Sequence, residues 1–159
     1  MSKIEITRHV DAPPSRVWEA LADFGGIYKF HPLVERSPLL TEQARGLGAE
    51  RRCEFVDGHH VCERVIGWDE GRSLQIEVYD GSMPLACAEG TLTVAPASGG
   101  ADVTFAFGYE PTMGFVGRIM DALVMRRRMT DTLDKILVGL GAHLRTGAGI
   151  GRDGAPVAA

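Results

Sequence analysis

The last third of the chain carries the clearest hydrophobic pattern. Between about Gly114 and Leu144, apolar residues recur three or four positions apart, at Ile119, Leu123, Met129, Leu133, Ile136, Leu137, Leu140 and Leu144. This spacing places them along one stripe of a long helix. The sequence after Leu144 has no comparable pattern, so we expect the preceding chain to supply a sheet that covers the stripe.

The N-terminal part of the chain predicts one strand followed by two short helices. Lys3–Val10 alternates between apolar and polar residues, which is typical of a half-buried strand. Pro13-Pro14 then opens a helix, because proline fits the first helical turn. Gly25-Gly26 ends that helix, and Ile27–His31 forms one more turn before Pro32. The apolar face of the first helix consists of Val17, Trp18, Leu21 and Phe24.

Short glycine-containing turns divide the middle of the chain into segments of strand length. The clearest of these are Glu50–Val56, Val61–Gly67, Leu74–Tyr79, Cys87–Val94 and Val103–Tyr109. Strands joined by such turns form an antiparallel meander. The whole order predicts an α+β fold with its helices on one face of an antiparallel sheet. We expect one domain over residues 1–145 and a disordered, Gly- and Ala-rich tail over residues 146–159.

Composition and charge narrow the class of protein. The chain has 159 residues, 45% of them hydrophobic and 24% charged, which suits a single soluble domain. Its net charge of −4 and the absence of a basic stripe argue against nucleic-acid binding. Arg126–Arg128 would spread over roughly 200° of a helix surface, which favours a solvated face.

The cysteines and the hydropathy indicate a cytoplasmic protein. Cys53, Cys62 and Cys87 are odd in number and lack a CxxC spacing, so we expect reduced thiols. The N-terminal residues are charged and alternating, unlike a signal peptide. No apolar run approaches the length of a membrane-spanning helix, so we expect no stable membrane insertion.

A series of landmark residues occurs in a recognisable order between Lys3 and Leu144. They are Asp11 to Trp18, Asp23 to Gly26, Phe30-His31-Pro32, Gly48 to Arg52, Gly58 followed by Glu63-Arg64, Asp69, Pro84 and Tyr109-Glu110-Pro111. This series resembles the START/Bet v 1-like (SRPBCC) superfamily, and within it the polyketide cyclase/dehydrase-like branch. The resemblance implies a helix-grip fold, in which a curved antiparallel sheet of about seven strands wraps around a long C-terminal helix.

The function that the resemblance implies is less specific than the fold. The superfamily includes lipid and sterol carriers, plant hormone receptors, polyketide aromatases and cyclases, and ubiquinone-binding chaperones. These proteins share a cavity between the sheet and the long helix, and one fold supports many functions. We therefore expect a small hydrophobic ligand in that cavity.

The pairing of the two strands around Asp57-Gly58 decides which charged residues face the cavity. A two-residue turn would place Arg52 and Glu54 on the same face as Glu63, with Arg51 on the opposite face. A change of one residue in loop length would exchange these sets. The resemblance favours Arg51 and Glu63 as a cavity pair. The sequence leaves two alternatives open: a buried pair that orients a ligand, or an exposed cross-strand ion pair.

Other candidate site residues are aromatic, sulfur-containing or titratable. Phe105, Phe107 and Tyr109 alternate and share one face of a strand, and Tyr109 is a candidate for contacting a ligand or donating a proton. His31 is a candidate acid–base group, whereas His59 and His60 are expected at a solvated turn. The predicted ligand contacts are Phe30, Phe55, Ile76, Phe105, Phe107, Tyr109, Met113, Phe115, Ile119, Met120 and Leu123.

The two halves of the long helix are expected to have different roles. Met113–Val124 contains adaptable methionines, which suit a pocket for varied apolar ligands, and should face the ligand. Met129–Leu144 should pack on the core beside the first strand and the short helices.

No motif predicts a metal or a nucleotide cofactor. HExxH, GxSxG and a phosphate loop between a strand and a helix are absent from the sequence. We therefore expect no metal and no cofactor, and a chain that is a monomer or a homodimer. The leading hypothesis is binding of a lipid-like or polyketide-like molecule.

Two alternatives remain beside this hypothesis. One is a cofactor-free cyclase, aromatase or dehydratase that uses Tyr109, His31, Arg51 or Glu63 as acid–base groups. The other is a helper protein that presents a hydrophobic, quinone-like cofactor to a partner complex, which would need an exposed apolar rim.

Overall fold

The computed structural model describes residues 2–112 and 124–157 of the chain. Seven strands and three helices follow one another in the predicted order, which confirms the α+β helix-grip architecture. The strands are β1 (Ser2–Val10), β2 (Val34–Arg36), β3 (Glu50–Phe55), β4 (His60–Asp69), β5 (Ser73–Gly81), β6 (Leu85–Ala97) and β7 (Gly100–Pro111). The helices are α1 (Pro14–Ala22), a 3-10 helix (Phe24–Lys29) and α2 (Arg126–Thr146).

The strands form one antiparallel sheet in the order β1-β7-β6-β5-β4-β3-β2. From β2 to β7 each strand pairs with the next one in sequence, as the short glycine turns predict. β1 pairs with β7, for example Ile4 with Phe107, so the first and last strands lie side by side. Apolar side chains alternate along the strands and face α1 and α2, which form the second layer of the domain.

The N-terminal helix begins as the sequence predicts but ends earlier. The carbonyl of Pro13 accepts hydrogen bonds from the N–H groups of Arg16 and Val17, which starts α1 without a side-chain cap. The helix ends at Ala22, and the predicted terminator Gly25-Gly26 instead lies inside the 3-10 helix. A Cβ at Gly26 would lie 2.2 Å from a side-chain oxygen of Asp23, so a larger residue there would require the Asp23 carboxylate to move.

Two tryptophans fasten the outside of α1 to the sheet. The rings of Trp18 and Trp68 meet edge to face, with 5.0 Å between their centroids. Both indole N–H groups donate to the carboxylate of Glu70, at 3.0 and 2.7 Å. The guanidinium of Arg45 binds Glu19 and Glu70 and lies over the ring of Trp68. This Trp18–Trp68–Glu70 clamp ties α1 to the turn between β4 and β5.

The described residues after α2 contact the rest of the domain. Gly147, with φ of 72°, ends the helix in the left-handed conformation, and its N–H binds the carbonyl of His143. Residues 148–157 then fold back, with a β-bridge between Ile150 and Pro156. Ile150 is only 6% exposed and donates its N–H to the carbonyl of Lys29, which joins this segment to the end of the 3-10 helix.

A close backbone approach fixes the position of α2. At Gly139 a Cβ would lie 2.2 Å from the carbonyl oxygen of Phe30, so the helix touches the chain just after the 3-10 helix. In the C-terminal part of β1, Arg8 binds Asp134 of α2 at 2.7 Å. No helix within the described ranges is long and apolar enough to cross a membrane.

Replacing Gly139 by alanine is expected to destabilise the protein by about 2 kcal/mol, because the methyl group pushes α2 away from rigid backbone. Gly141 is the matched control, since a Cβ there meets nothing within 4 Å in the same helix. Gly141→Ala should stabilise the protein by about 1 kcal/mol through helix propensity. Urea unfolding of the two variants measures both changes, and equal effects would show that the contact with Phe30 is not limiting.

Candidate functional site

A cavity of about 480 Å³ lies between the concave face of the sheet and α2. Its size falls in the range of small-molecule sites. The strands contribute apolar walls that include Phe55, Leu74, Ile76, Val78, Leu92, Phe105 and Phe107. The helical side is formed by Leu21, Phe24, Ile27, Met125, Met129, Leu133, Ile136, Leu137 and Leu140.

A glycine on β6 makes room for two of the aromatic rings. A Cβ at Gly90 would lie 2.8 Å from the ring of Phe105 and 3.2 Å from that of Phe107. The two rings meet edge to face, at 6.0 Å between centroids. Because they lie back over the missing side chain, they line the cavity instead of filling it.

The turn between β3 and β4 determines which polar side chains of these strands face the cavity. The carbonyl of Phe55 accepts the N–H of Gly58, and the N–H of Phe55 donates to the carbonyl of His59. Gly58 has φ of 92°, so Val56, Asp57 and Gly58 form a three-residue loop whose last residue is left-handed. The two-residue turn is therefore wrong, and the register pairs Arg51 directly with Glu63 on the cavity side.

Arg51 and Glu63 form a buried ion pair. The Nε and Nη2 groups of Arg51 each lie 2.6 Å from Oε2 of Glu63, and the two side chains are 5% and 12% exposed. The Nη1 group donates to the carbonyl of Phe24 at 2.8 Å, and the guanidinium lies 3.9 Å over the Phe24 ring. Burial alone would lower the pKa of Arg51, but Glu63 and Cys53 together outweigh it and the pKa is raised.

The thiol beside this pair is a structural group. Cys53 donates to Oε2 of Glu63 across 3.5 Å. Burial, reinforced by the negative charge of Glu63, raises the pKa of the Cys53 thiol far above its usual range. It therefore stays protonated at neutral pH and is not an activated nucleophile.

His31 is held neutral next to the pair. Its side chain lies edge-on to Phe55, 5.9 Å between centroids, and its Nδ1 accepts the N–H of Leu33 at 3.2 Å. Burial, together with the positive charge of Arg51, lowers the pKa of His31 to about 3. A neutral ring whose Nδ1 accepts a hydrogen bond carries its proton on Nε2. His31 therefore presents a donor rather than a charge.

Eight of the predicted site residues line this cavity. They are Phe30, His31, Arg51, Phe55, Glu63, Ile76, Phe105 and Phe107. Tyr109 is fully buried and stacks on Phe107 with 6.1 Å between centroids, but it is not among the described residues that line the cavity. Met113, Phe115, Ile119, Met120 and Leu123 lie outside the described residues.

The expected division of the long helix does not hold for its second half. Met129, Leu133, Ile136, Leu137 and Leu140 line the cavity, although we expected Met129–Leu144 to pack on the core. Leu133, Ile136, Leu137 and Leu140 are also buried members of the core, so one stripe performs both tasks. The periodicity identified the apolar stripe of α2 but not the distance between that stripe and the sheet.

Sequence reasoning also missed several cavity residues on the short helices and strands. Leu21, Phe24 and Ile27 line the cavity although their pattern predicted only helix packing, and His59 borders it from the β3–β4 turn. The spacing of Leu21, Phe24 and Ile27 by three residues was the available signal for one apolar face. Among residues 2–112 and 124–157, no cluster of three His, Cys, Asp or Glu side chains is arranged to hold a metal ion.

The low pKa of His31 makes stability depend on pH. The unfolded ring binds a proton below about 6.5, whereas the folded ring stays neutral down to about 3. Acid therefore favours the unfolded state across this window, by at most about 1.4 kcal/mol per pH unit. In His31→Asn the amide oxygen can still accept the Leu33 N–H, but this contribution is gone. Between pH 6.5 and 4, urea unfolding should show a shallower loss of stability in His31→Asn than in the parent, and parallel slopes would contradict this.

Breaking the buried ion pair should be far more costly than breaking an exposed one. Arg51→Met leaves the Glu63 carboxylate buried without its partner, which is expected to cost about 3–5 kcal/mol. Adding Glu63→Met should recover part of that loss. The control is Arg36→Met, because Arg36 is 70% exposed in its pair with Glu54 and should cost under about 1 kcal/mol. Urea unfolding of the four proteins tests this, and equal costs for the two arginines would refute it.

Several solved structures are similar in fold to this chain. A protein from Thermus thermophilus shares 21% identity, with 92% of this chain and 99% of that chain covered and a TM-score of 0.78. The structure of Ara h 8.0201 shares 15% identity over 91% and 98% of the two chains, with a TM-score of 0.71. Major latex-like protein 151 from Panax ginseng shares 14% identity over 89% and 96%, with a TM-score of 0.69.

At these identities the likeness shows the fold, which is the Bet v 1-like helix grip. No curated protein matches the chain. Residues 1–145 match the model of the family described as polyketide cyclase / dehydrase and lipid transport. That match takes in all seven strands and nearly all of α2. The chain therefore belongs to the polyketide cyclase/dehydrase and lipid transport family.

Proposed function

We propose that this protein binds a small hydrophobic or aromatic molecule in the cavity between the sheet and α2. The observation that carries the proposal is the lining of that cavity. Its walls are mainly aliphatic and aromatic, and its polar residues include one polar group, formed by the ion pair of Arg51 and Glu63 and the ring of His31, with Asp57, His59, Arg128 and Thr132 also in the lining. Ligand sites combine apolar walls with a few placed polar groups in this way.

The size of the cavity supports an occupant rather than loose packing. Protein interiors are close-packed, and side chains around a void lose their dispersion contacts. A space of about 480 Å³ is far larger than the gaps that packing leaves in a domain of this length. An apolar ligand would restore those contacts and would stabilise the folded state on binding.

The second candidate is a cofactor-free cyclase or dehydratase, which the family and the polar group both allow. Such chemistry needs a proton acceptor of suitable strength. His31, with a pKa of about 3, is a weak base at neutral pH, and the Cys53 thiol is protonated. These properties suit orientation of a ligand better than proton transfer, so binding is the function that the geometry supports best.

A bulky side chain on the cavity side of α2 should abolish binding. Ile136 lines the cavity and is 6% exposed, whereas Val138 on the outer face of the same helix is 46% exposed. We expect Ile136→Trp to weaken binding of the neutral fluorescent probe N-phenylnaphthylamine about tenfold or more, and Val138→Trp to leave it unchanged. Fluorescence titration measures both, with circular dichroism to show that each variant is folded.

The same titration gives the outcome that would refute the proposal. A parent protein that binds no apolar probe, and from which solvent extraction and mass spectrometry recover no co-purified small molecule, would not be a carrier of hydrophobic ligands. Equal loss of binding in Ile136→Trp and Val138→Trp would place the probe elsewhere on the protein.

A further inference from the structure

The polar group of the cavity leaves two atoms with no partner in the described part of the chain. Glu63 uses only Oε2 for Arg51 and Cys53, so its Oε1 makes no hydrogen bond there. His31 uses Nδ1 for Leu33, so its Nε2–H is also unmatched. Neither atom is sealed from solvent, since no fully buried side-chain nitrogen or oxygen lacks a partner among the described residues. Both residues line the cavity, so one acceptor and one donor are available there to an occupant.

Arg51 does not add a free positive charge to this pair of atoms. Of its five N–H groups, two bind Glu63 and one binds the carbonyl of Phe24, Phe24 covers its face, and its charge is compensated by the Glu63 carboxylate. At this end of the cavity, the charged atom without a donor among the described residues is Oε1 of Glu63. A ligand carboxylate placed here would be repelled by this oxygen, and a bare carbonyl or ether would leave it without a donor.

A hydroxyl group matches the two atoms, because it donates one hydrogen bond and accepts others. We propose that the ligand is a neutral molecule with a hydroxyl on an apolar ring or chain, whose O–H donates to Oε1 of Glu63 and whose oxygen accepts from Nε2–H of His31. This rests on the proposed function of the cavity. It selects phenols and alcohols over their ethers, and a hydroquinone over a quinone.

The test compares two neutral probes of one ring system, β-naphthol and β-naphthyl methyl ether. The ether keeps the acceptor but cannot donate to Glu63. We expect the parent protein to bind β-naphthol about tenfold more tightly in a fluorescence or calorimetric titration, because a hydrogen bond to a buried carboxylate is lost with the ether. Arg128 lines the cavity and is exposed to solvent. Because both probes are neutral, neither can form an ion pair with it.

Glu63→Gln gives a sharper result than simple loss. The amide oxygen must accept from Arg51, so the amide NH₂ turns toward the cavity and a donor replaces the acceptor. The preference for β-naphthol should vanish or reverse in favour of the ether. Glu54→Gln is the matched control, because Glu54 pairs with Arg36 and Arg52 and does not line the cavity. It should keep the parent preference.

Each outcome decides one proposal. Equal affinity of the parent protein for both probes overturns the hydroxyl inference while the cavity remains a ligand site. Binding of neither probe overturns the proposed function as well. Should Glu63→Gln not fold, His31→Phe tests the same contact from the other atom, because it removes the Nε2–H donor and keeps an aromatic ring. It should lower the affinity for β-naphthol about tenfold, and an unchanged affinity would overturn the inference.

Discussion

The register between β3 and β4 is the constraint on which the site depends. A three-residue loop that ends in left-handed Gly58 sets that register, and the register places Arg51 opposite Glu63 on the concave face. Sliding the strands by one residue would turn both side chains to the other face of the sheet. The carbonyl of Phe24 is then held by Arg51, which anchors the 3-10 helix against the sheet. One turn thus joins the edge of the sheet, the short helices and the polar end of the cavity.

The cavity persists because two layers are held apart at fixed points. At Gly139 the backbone of α2 touches Phe30. In the C-terminal part of β1, Arg8 binds Asp134 of the same helix. On the sheet side, the absence of a side chain at Gly90 lets the rings of Phe105 and Phe107 lie back against β6. A cavity of about 480 Å³ is left between the sheet and the helix. The same stripe of α2 can therefore belong to the core and line a binding space.

Much of this fold can be predicted from the sequence, because it depends on local signals. The period of the last helix, the alternation of Lys3–Val10 and the glycine turns each report on nearby residues. The site depends on longer-range geometry. Whether Asp57-Gly58 lies in a two- or three-residue loop decides which face of the sheet carries Arg51, and the sequence permits both loops. Tyr109 is buried behind Phe107 and is not among the described residues that line the cavity, and Ile150 is buried against the domain. No periodicity encodes such contacts.

The Trp18–Trp68–Glu70 clamp has a consequence for how this protein can be observed. The chain contains two tryptophans, and both are in this clamp, with neither among the described residues that line the cavity. Their shared emission is therefore a spectroscopic reporter of whether α1 is docked on the sheet, and it is insensitive to direct contact with a cavity occupant. An occupant that absorbs in the near ultraviolet would instead be detected as an energy acceptor from the tryptophan pair, so folding and occupancy can be recorded separately in one cuvette.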